Sequence, residues 1–461
     1  MQRTELTGRR ILLLGLGVEN QAVGRFLRGC GIPFGAADAA PEGRLEGLRR
    51  EWADGVDSWV LGPGYLDGLD GWEVIFRTPG VHPRHPALER ARRAGALVTS
   101  QTRLFLERCP ATVVGITGTK GKGTTARLLE GMLQGGAWRR VWVAGNIGTP
   151  PISFADEVTA ADIVVLELSS FQLQDLDRSP PIAVLLSVTR DHLDYHGSVA
   201  EYAEAKGALC RHQDESGIAV VDGECPAAVR LGARSRGRQR PFGLAGTGGP
   251  GVHLRAGRLR WCPEEGGEVD LFGPEDVPAP GRHNLANAAA AAGAALSAGV
   301  APAAVAAGLR LFRPLPHRLE RIAEIDGVTY YDDSLATNPD AALAALRAFD
   351  GPVILIAGGS PKGADFRDLA AAAATRSVRA VILLGQEGAR LDAALAAQPG
   401  FAGEVVRDCG SMVAAVAAAR VRARAGDVVL LSPACASFGM FRNYAERGDA
   451  FQRAVRAAPA S

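Results

Sequence analysis

Residues 113–128, VVGITGTKGKGTTARL, decide the fold of this chain. Apolar and small residues lead into Thr117, and a glycine-rich run follows as Gly118, Thr119, Lys120, Gly121, Lys122, Gly123, Thr124 and Thr125. Beyond this run, apolar residues recur at helical spacing, at Leu128, Leu129, Met132 and Leu133. The pattern predicts a strand, a glycine loop and a helix. Such a loop presents backbone N–H groups and the positive end of a helix dipole to a phosphate, and Lys122 would add a cation.

The loop departs from the general phosphate-binding pattern GxxxxGK[ST] at two positions. Ile116 stands where the pattern has its first glycine, and Gly123 stands where it has a serine or threonine. From this segment alone, a glycine-rich turn that binds nothing stays open as an alternative.

Length, composition and charge limit the class of protein. The chain has 461 residues, which suits about three domains. A hydrophobic fraction of 47% and a net charge of +1 exclude a disordered chain and an electrostatic binder of nucleic acid. The seven cysteines form no CxxC pair, which favours a reduced, cytoplasmic compartment.

No segment is expected to enter a membrane. The first residues, MQRTELTGRR, lack the apolar core of a signal peptide. Residues 288–309 carry no charge, but they are mostly alanine and contain glycines and a proline. We therefore expect two short helices of a soluble domain in this stretch.

The N-terminal segment predicts a small α/β domain. Its first strand, ILLLG, leads into GLGVEN, residues 15–20, which imitates a dinucleotide-binding fingerprint with Asn20 in place of the third glycine. Asp38 ends the next predicted strand, at a suitable distance for an acid that binds a ribose hydroxyl. A nicotinamide enzyme is the alternative that this loop suggests, but nothing downstream supplies hydride chemistry.

Polar residues at strand ends place candidate chemistry beside the phosphate loop. Asn146 follows the strand VWVAG, and Glu167 ends the strand DIVVLE, where a magnesium ligand or water-activating group would lie. The alternative for Glu167 is a buried carboxylate with a hydrogen-bonding partner. After the next strand, RDHLDYHG at residues 190–197 groups two histidines with two aspartates, and this grouping favours a chemical site over core packing.

The remaining sequence predicts a helix and a second doubly wound sheet. Asn284 and Asn287 in GRHNLAN lie one turn apart on one helix face, where they either read a purine edge or cap the helix. From residue 315 onward, strands alternate with helices, and polar loops follow VTYYDDS, PVILIAGG and DVVLLSPA. Cys435 in the last loop is expected to be a packed thiol, because no histidine or asparagine motif accompanies it.

A series of motifs resembles the Mur ligases of peptidoglycan synthesis, in the order GITGTKGKGTT, GNIG, LELSSFQL, DHLDYHG, EYAEAK, GRHNLAN, LPHRLE, DDSLATNPDA, GGSPKGADF and LSPACASFGMFRNYAERG. The resemblance runs from the first strand nearly to the C-terminus and is strongest with the D-glutamate-adding members. It implies an α/β protein of three domains. These would be a Rossmann-like domain for the UDP end of the substrate, a central P-loop ATPase-type domain with a parallel sheet, and a C-terminal Rossmann-like domain that brings the amino acid, at residues 1–107, 108–314 and 315–461.

The reaction implied by the resemblance is amide formation driven by ATP. Phosphate would pass from ATP to the carboxylate of UDP-N-acetylmuramoyl-L-alanine, and the amine of D-glutamate would attack the resulting acyl phosphate. Magnesium, with two ions expected, would offset the repulsion between the anionic groups. The resemblance also implies a cytoplasmic monomer that binds no nucleic acid and does not insert into a membrane.

The resemblance gives roles to individual residues. The ATP phosphates would be held by the run Gly118 to Thr125, and the adenine would be faced by Asn284 and Asn287. Arg318 and Asp333 would serve the ATP phosphates and the ribose from the third domain. Catalysis would rest on Lys122, Glu167, His192 and Lys206. Magnesium would be held by Thr124, Glu167, His192 and by Lys206 as a carbamate, because a CO2 adduct turns this amine into a carboxylate. Substrate contacts would be made by Leu16 and Val18 at the uracil end, by Asn146 at the UDP-sugar, and around D-glutamate by Thr337, Lys362, Ser437, Phe438 and Tyr444.

Two residues depart from the family pattern. Gly123 removes the hydroxyl that usually follows the loop lysine, and Thr124 is the available substitute. Leu335 stands where the D-glutamate-adding members often have a lysine, which leaves Lys362 as the obvious local cation for two substrate carboxylates.

Two further interpretations remain open at this point. One is a folylpolyglutamate synthase, and the other is a nucleotide-binding regulator that has lost ligation. The domain predicted before the phosphate loop argues against the first. The second is disfavoured by the retained residues Lys122, Glu167, His192, Lys206 and Lys362.

Overall fold

A computed structural model describes residues 3–146, 149–245, 249–278, 281–312, 316–349, 351–361 and 364–457. Along these ranges strands alternate with helices, and the strands form three separate sheets. The chain divides into two units. The first unit consists of Met1–Asp276 and Ala286–Phe312, and the second unit consists of Val277–Leu285 and Arg313–Ser461. The first unit holds two sheets and the second unit holds the third. The predicted α/β class is confirmed.

The first sheet contains the strands β1 (Ile11–Leu14), β2 (Phe34–Asp38), β3 (Val56–Leu61), β4 (Val74–Arg77) and β5 (Leu97–Thr99). Its helices are α1 (Arg3–Leu6), α2 (Val18–Gly29), α3 (Glu42–Glu51), α4 (Pro86–Arg93) and α5 (Gln101–Arg108), with a 3-10 turn at Leu69–Gly71. In the described residues the strands run parallel in the order β3-β2-β1-β4-β5. The loop after β1 therefore lies at the point where the winding reverses, which is the ligand-binding position of a Rossmann-like sheet.

The second sheet begins with the strands β6 (Thr112–Thr117), β7 (Val141–Gly145), β8 (Ile163–Glu167), β9 (Ile182–Leu185) and β10 (Ile218–Asp222). An edge follows with β11 (Arg238–Gly243), β12 (Gly251–Arg255), β13 (Arg258–Cys262) and β14 (Val269–Phe272). The strand order across the described part of this sheet is β14-β13-β12-β11-β10-β9-β6-β8-β7. Only β13 pairs antiparallel with its neighbours there, so the strands around the phosphate loop form the predicted parallel sheet.

The helices around this sheet are α6 (Lys122–Leu133), α7 (Ser170–Leu173), α8 (Leu193–His196), α9 (Val199–Arg211), α10 (Pro226–Gly232), α11 (Arg282–Ser297) and α12 (Pro302–Leu309), with 3-10 helices at Pro151–Glu157 and Pro274–Asp276. α11 and α12 confirm the two helices predicted across the charge-free stretch. Across the described ranges, every helix falls short of the length and apolar character needed to cross a membrane.

The third sheet contains the strands β15 (Glu320–Ile325), β16 (Val328–Asp332), β17 (Val353–Gly358), β18 (Val378–Leu384), β19 (Glu404–Cys409) and β20 (Val428–Leu431). Its helices are α13 (Pro339–Leu346), α14 (Arg367–Thr375), α15 (Gly388–Ala396), α16 (Met412–Arg422) and α17 (Tyr444–Ala457). The order is β15-β16-β20-β17-β18-β19 in the part that the structure describes, and β15 is antiparallel to β16. This is the predicted second doubly wound sheet, while the exact limits 1–107, 108–314 and 315–461 stay predictions.

Candidate active site

The phosphate loop has the predicted strand-loop-helix geometry. β6 ends at Thr117, and α6 begins at Lys122 after Gly121, whose φ of 86° lies in the left-handed region. A Cβ built on Gly121 would lie 2.3 Å from Asn287 Oδ1, so only glycine fits between the loop and this amide. The left-handed conformation of Gly121 allows the chain to turn from the loop into α6.

The loop is fixed to its neighbours through hydroxyl groups. Thr119 donates its N–H to Ser187 O at 2.8 Å, and its Oγ1 accepts from Thr189 N at 2.9 Å and from the Tyr202 hydroxyl at 3.2 Å. Thr117 Oγ1 donates to Leu168 O at 2.7 Å. The loop is therefore held in place before any ligand binds, which lowers the entropic cost of binding a phosphate.

Two lysines converge on the same loop carbonyl. Lys122 Nζ donates to Gly118 O at 3.2 Å and to Thr119 O at 3.3 Å, while Lys206 Nζ donates to Gly118 O at 2.8 Å. Lys206 is only 1% exposed and lies 4.6 Å above the Tyr202 ring. Burial, reinforced by the positive charge of Lys122, lowers the pKa of Lys206 well below its ordinary value. This shift favours the neutral amine, which is the form that reacts with CO2.

Glu167 lies where its strand end was expected. In the register of the sheet, Glu167 is opposite Ile116 on one side and Gly145 on the other, one residue before the phosphate-loop strand ends. Its side chain is 4% exposed, and Oε1 accepts from Asn146 Nδ2 at 3.0 Å. A hydrogen-bonding partner is therefore present, as the alternative for Glu167 required. That partner is the neutral amide of Asn146.

The two histidines of DHLDYHG have different environments. His192 has a φ of 50°, its side chain is 48% exposed, and its ring lies 5.0 Å from that of Phe171. His196 is fully buried, and its Nε2 shares a hydrogen bond of 2.9 Å with Ser170 Oγ. Burial lowers the pKa of His196. His192 is accessible and stays a predicted site residue, whereas His196 is a core residue.

The hydroxyls at the start of α6 differ in exposure. Thr124 is half-buried, and Thr125 and Gly123 are buried. Thr124 is therefore the more accessible of the two threonines, which agrees with its predicted use as the substitute for the missing serine.

The polar side chains at the N-terminal glycine loop form hydrogen bonds with backbone groups of the loop and of neighbouring strands. Asn20 Nδ2 donates to Leu14 O, Gly15 O and Phe76 O at 2.8–3.0 Å. Asp38 accepts the N–H groups of Leu16 at 2.5 Å and Ala40 at 2.7 Å. The carboxylate that imitates a ribose ligand thus stabilises the loop.

The two residues predicted at the uracil end, Leu16 and Val18, differ in how far their side chains are exposed. The Leu16 side chain is 3% exposed and packs in the core beneath the first sheet. Val18 is 67% exposed. Of the two side chains, Val18 is the one that a ligand can reach.

Asp333, one of the predicted nucleotide residues, lies in a hydrogen-bonded loop of the second unit. Asp333 is buried after β16, and it accepts from Ser432 Oγ at 2.7 Å and from Leu319 N at 3.2 Å. Burial raises the pKa of Asp333 to about 7, although the nearby charge of Arg318 opposes this rise. Asn284 is buried in the first turn of α11, one turn before Asn287, which is also buried.

Segments of the predicted D-glutamate pocket meet in the second unit. Ser334 Oγ donates to Tyr444 O at 2.7 Å, and Ser360 N donates to Ala436 O at 2.9 Å. Phe438 and Tyr444 are exposed, Thr337 is half-buried and Ser437 is buried. Lys362 lies outside the described residues. Cys435 is packed, as expected, and burial raises the pKa of its thiol to about 12.

Comparison with known proteins identifies the family. A model described as the Mur ligase middle domain matches residues 116–295, and one described as the Mur ligase, glutamate ligase domain matches residues 317–435. A protein of Symbiobacterium thermophilum named UDP-N-acetylmuramoylalanine–D-glutamate ligase is 39% identical over 450 residues, covering 97% of this chain and 98% of that protein. The chain belongs to the Mur ligase family. A protein of the same name from Roseiflexus sp. strain RS-1 is 39% identical to this Mur ligase over 468 residues, covering 98% of this chain and 99% of that protein.

The solved structures agree with the fold of this Mur ligase. The MurF ligase of Thermotoga maritima in complex with ADP matches with a TM-score of 0.58 at 19% sequence identity, covering 99% of this chain and 97% of that one. At this identity the likeness shows the fold alone. The three-domain α/β architecture that the motifs implied is therefore confirmed.

Sequence reasoning missed the contacts that join the first two sheets of this Mur ligase. Gln172 Nε2 donates to Glu19 Oε1 at 2.6 Å, and burial raises the pKa of Glu19. Arg77, almost fully buried, donates through Nε to Asp175 Oδ2 at 2.6 Å. The partners are 153 and 98 residues apart, so no local pattern links them. Their one signal is the concentration of polar residues in the LELSSFQL motif and directly after it.

Proposed function

We propose that this Mur ligase joins D-glutamate to UDP-N-acetylmuramoyl-L-alanine with cleavage of ATP to ADP and phosphate, in the synthesis of peptidoglycan precursors. The observation that carries the proposal is the convergence of Lys122 and Lys206 on the phosphate loop, with the buried carboxylate of Glu167 at the adjacent strand end. The name of its full-length relatives supports the choice of substrates. The same names weigh against a folylpolyglutamate synthase.

The phosphate loop would bind the ATP phosphates. The first N–H groups of α6 have no partner within the helix, so they donate to an anion placed at its N-terminus. In the structure Lys122 Nζ donates to two loop carbonyls, and it would turn from them to the outer phosphates. Asn284 and Asn287 remain the proposed contacts to the adenine, and Arg318 and Asp333 remain the proposed contacts to the phosphates and the ribose.

The residues beside the loop fit magnesium. Glu167 is a buried carboxylate, and Lys206 is a buried amine with a lowered pKa whose CO2 adduct would present a second carboxylate. His192 and Thr124 are accessible and would complete the ligand set. When bound, magnesium would neutralise charge on the phosphates and on the substrate carboxylate as they approach.

The reaction would proceed in two steps. A carboxylate oxygen of UDP-N-acetylmuramoyl-L-alanine attacks the γ-phosphorus, and the bond from that phosphorus to the bridging oxygen of ADP breaks. The amine of D-glutamate then attacks the acyl carbon and loses a proton, and the carbon–oxygen bond to phosphate breaks. Amide, ADP and phosphate are the products. The loop amides and Lys122 would stabilise the charge that develops on the transferred phosphoryl group.

The cellular setting and assembly follow from the same proposal. ATP and UDP-linked precursors are substrates of the cytoplasm, so we place the enzyme there. We propose that it acts as a monomer, as the family resemblance implies.

Oxygen isotope transfer tests the proposed function. UDP-N-acetylmuramoyl-L-alanine with 18O in its carboxylate is incubated with ATP, Mg2+ and D-glutamate, and the released phosphate is examined by mass spectrometry. The proposal predicts that the phosphate carries one 18O atom, because the carboxylate oxygen stays on the phosphorus. Phosphate without 18O would exclude the acyl phosphate. Absence of phosphate release would favour a nucleotide-binding regulator.

A further inference from the structure

Arg447 is a buried cation whose hydrogen-bond acceptors are all uncharged. It is 2% exposed on the inner face of α17. Its Nε donates to Ser334 Oγ at 3.0 Å, Nη2 donates to Ser334 O at 2.8 Å, and Nη1 donates to Cys435 O at 3.0 Å. These acceptors are a hydroxyl and two carbonyls. Among the residues that the structure describes, no carboxylate forms an ion pair with this guanidinium.

The contacts of Arg447 lie on the segments that carry the proposed amino-acid pocket. Ser334 is three residues before Thr337, and Cys435 is two residues before Ser437. Ser334 Oγ, which accepts from Arg447, donates in turn to the carbonyl of Tyr444.

A fourth segment passes the same guanidinium. A Cβ built on Gly359 would lie 3.3 Å from Arg447 Nη1 and 2.2 Å from Ala436 O. Gly359 is three residues before Lys362. The guanidinium therefore lies where the chain at Ser334, Gly359 and Cys435 meets the start of α17.

The charge of Arg447 is only partly offset by its surroundings. Burial lowers the pKa of Arg447 to about 10, so the guanidinium stays protonated at neutral pH. Asp332 attracts it electrostatically, but the Asp332 carboxylate is hydrogen-bonded to His317 at 2.8 Å and to Gln452 at 3.0 Å. Positive charge in a buried position acts over a longer range than the same charge in water, because the surroundings screen it less.

The apolar residue Leu335 increases the importance of the Arg447 charge for substrate binding. Its position, directly after the Ser334 carbonyl that accepts from Arg447, holds no cation. By the family resemblance, D-glutamate brings two carboxylates into a pocket to which the sequence assigns one other cation, Lys362. We infer that Arg447 is a positioning residue that both joins the pocket segments and supplies positive charge for the carboxylates of the incoming amino acid. This inference rests on the proposed function.

Three variants separate the charge of Arg447 from its hydrogen bonds. Arg447→Met removes both, Arg447→Lys keeps the charge, and Arg447→Met with Leu335→Lys restores a charge from a neighbouring position. For each variant, KM and kcat are measured for D-glutamate, ATP and UDP-N-acetylmuramoyl-L-alanine, with the Tm recorded alongside. Arg453→Met is the matched control, because Arg453 lies on the same helix with its side chain exposed.

The inference predicts a selective change in KM for D-glutamate. Arg447→Met should raise it about tenfold or more, the scale of one charged interaction, while KM for the other two substrates changes less than about threefold. Arg447→Lys should stay within about threefold of the wild type even if its Tm falls, and Leu335→Lys should restore at least half of the lost affinity on a logarithmic scale. The control should leave all three KM values unchanged.

Equal rises in KM for Arg447→Lys and Arg447→Met, without rescue by Leu335→Lys, would overturn the inference and leave Arg447 a purely structural residue. If Arg447→Met does not fold, the KM of Arg447→Lys for D-glutamate tests the inference by itself. This variant keeps the positive charge, so a tenfold rise in its KM would contradict a role of the charge. A wild-type protein that does not use D-glutamate would instead refute the proposed function, so the two failures are distinguishable.

Discussion

Asp333→Asn removes a charge that the second unit stabilises poorly. The Asp333 carboxylate is buried, and burial raises its pKa from 3.8 to about 7 even though Ser432 and Leu319 donate to it. The folded state therefore binds a proton more readily than the unfolded state between these two pH values. This contribution to stability is fully present below pH 3.8 and is lost as the pH rises through about 7.

The rise in the pKa of Asp333 determines how large the change in the free energy of unfolding should be. A change from 3.8 to about 7 corresponds to about 4 kcal/mol, at about 1.4 kcal/mol for each tenfold change in the proton equilibrium. An asparagine does not titrate, and its oxygen and NH2 group can still pair with the Leu319 N–H and the Ser432 hydroxyl. We expect the variant to be more stable than the wild type above pH 7. The difference should grow by about 2–3 kcal/mol between pH 5 and pH 8.5.

Hydrogen exchange measures the difference in stability between the variant and the wild type within the second unit itself. All six tryptophans precede residue 277, so tryptophan fluorescence does not report directly on the second unit. Peptides that cover β16 and β20 are instead compared between variant and wild type at the same pH, which cancels the intrinsic exchange rates. Protection in the variant should exceed that in the wild type by a factor that grows about a hundredfold from pH 5 to pH 8.5. Asp340→Asn, at an exposed carboxylate of α13, is the control. A protection ratio that is independent of pH would refute the assignment of a raised pKa to Asp333.

Three further results are expected. Asp175→Asn leaves the buried Arg77 without its counter-charge and should lower the unfolding free energy of the first unit by about 3–5 kcal/mol, measured by tryptophan fluorescence in urea. The same change at Asp177, whose side chain is 55% exposed, should cost less than about 1 kcal/mol, and similar losses at both sites would contradict the role of burial. Wild-type protein in 13C-bicarbonate should show a carbamate carbon resonance that Lys206→Arg lacks, and a resonance in both would remove Lys206 as its source. Lys362→Ala should lower kcat/KM for D-glutamate by an equivalent of about 2–3 kcal/mol, whereas a loss below about threefold would exclude Lys362 from the pocket.

Local patterns predicted the features that depend on neighbours in sequence. The strand-loop-helix of residues 113–128 follows from hydrophobic spacing and glycine, and the structure reproduces it with Gly121 in the left-handed region. Glu167 was placed correctly because the carboxyl ends of adjacent parallel strands share one edge of the sheet.

Distant partners and burial account for what the sequence did not predict. His192 and His196 belong to one motif, but only the fold encloses His196 among Phe171, Tyr195 and Tyr202. Asp38 has the spacing of a ribose ligand, yet it accepts the backbone N–H groups of its own loop.

One missed residue did have a signal. Arg447, Gly448, Phe451 and Val455 follow helical spacing, and an arginine within such an apolar stripe indicates a buried cation.

Phosphate release measured with different amino acids tests directly whether D-glutamate is the substrate of this Mur ligase. The protein is incubated with ATP, Mg2+ and UDP-N-acetylmuramoyl-L-alanine, and D-glutamate, L-glutamate, L-lysine and glycine are added in separate reactions. We expect phosphate release with D-glutamate alone, which would also show that Leu335 is compatible with binding of the two carboxylates. Release with a different amino acid, or equal release without any, would contradict the assignment of D-glutamate as the substrate.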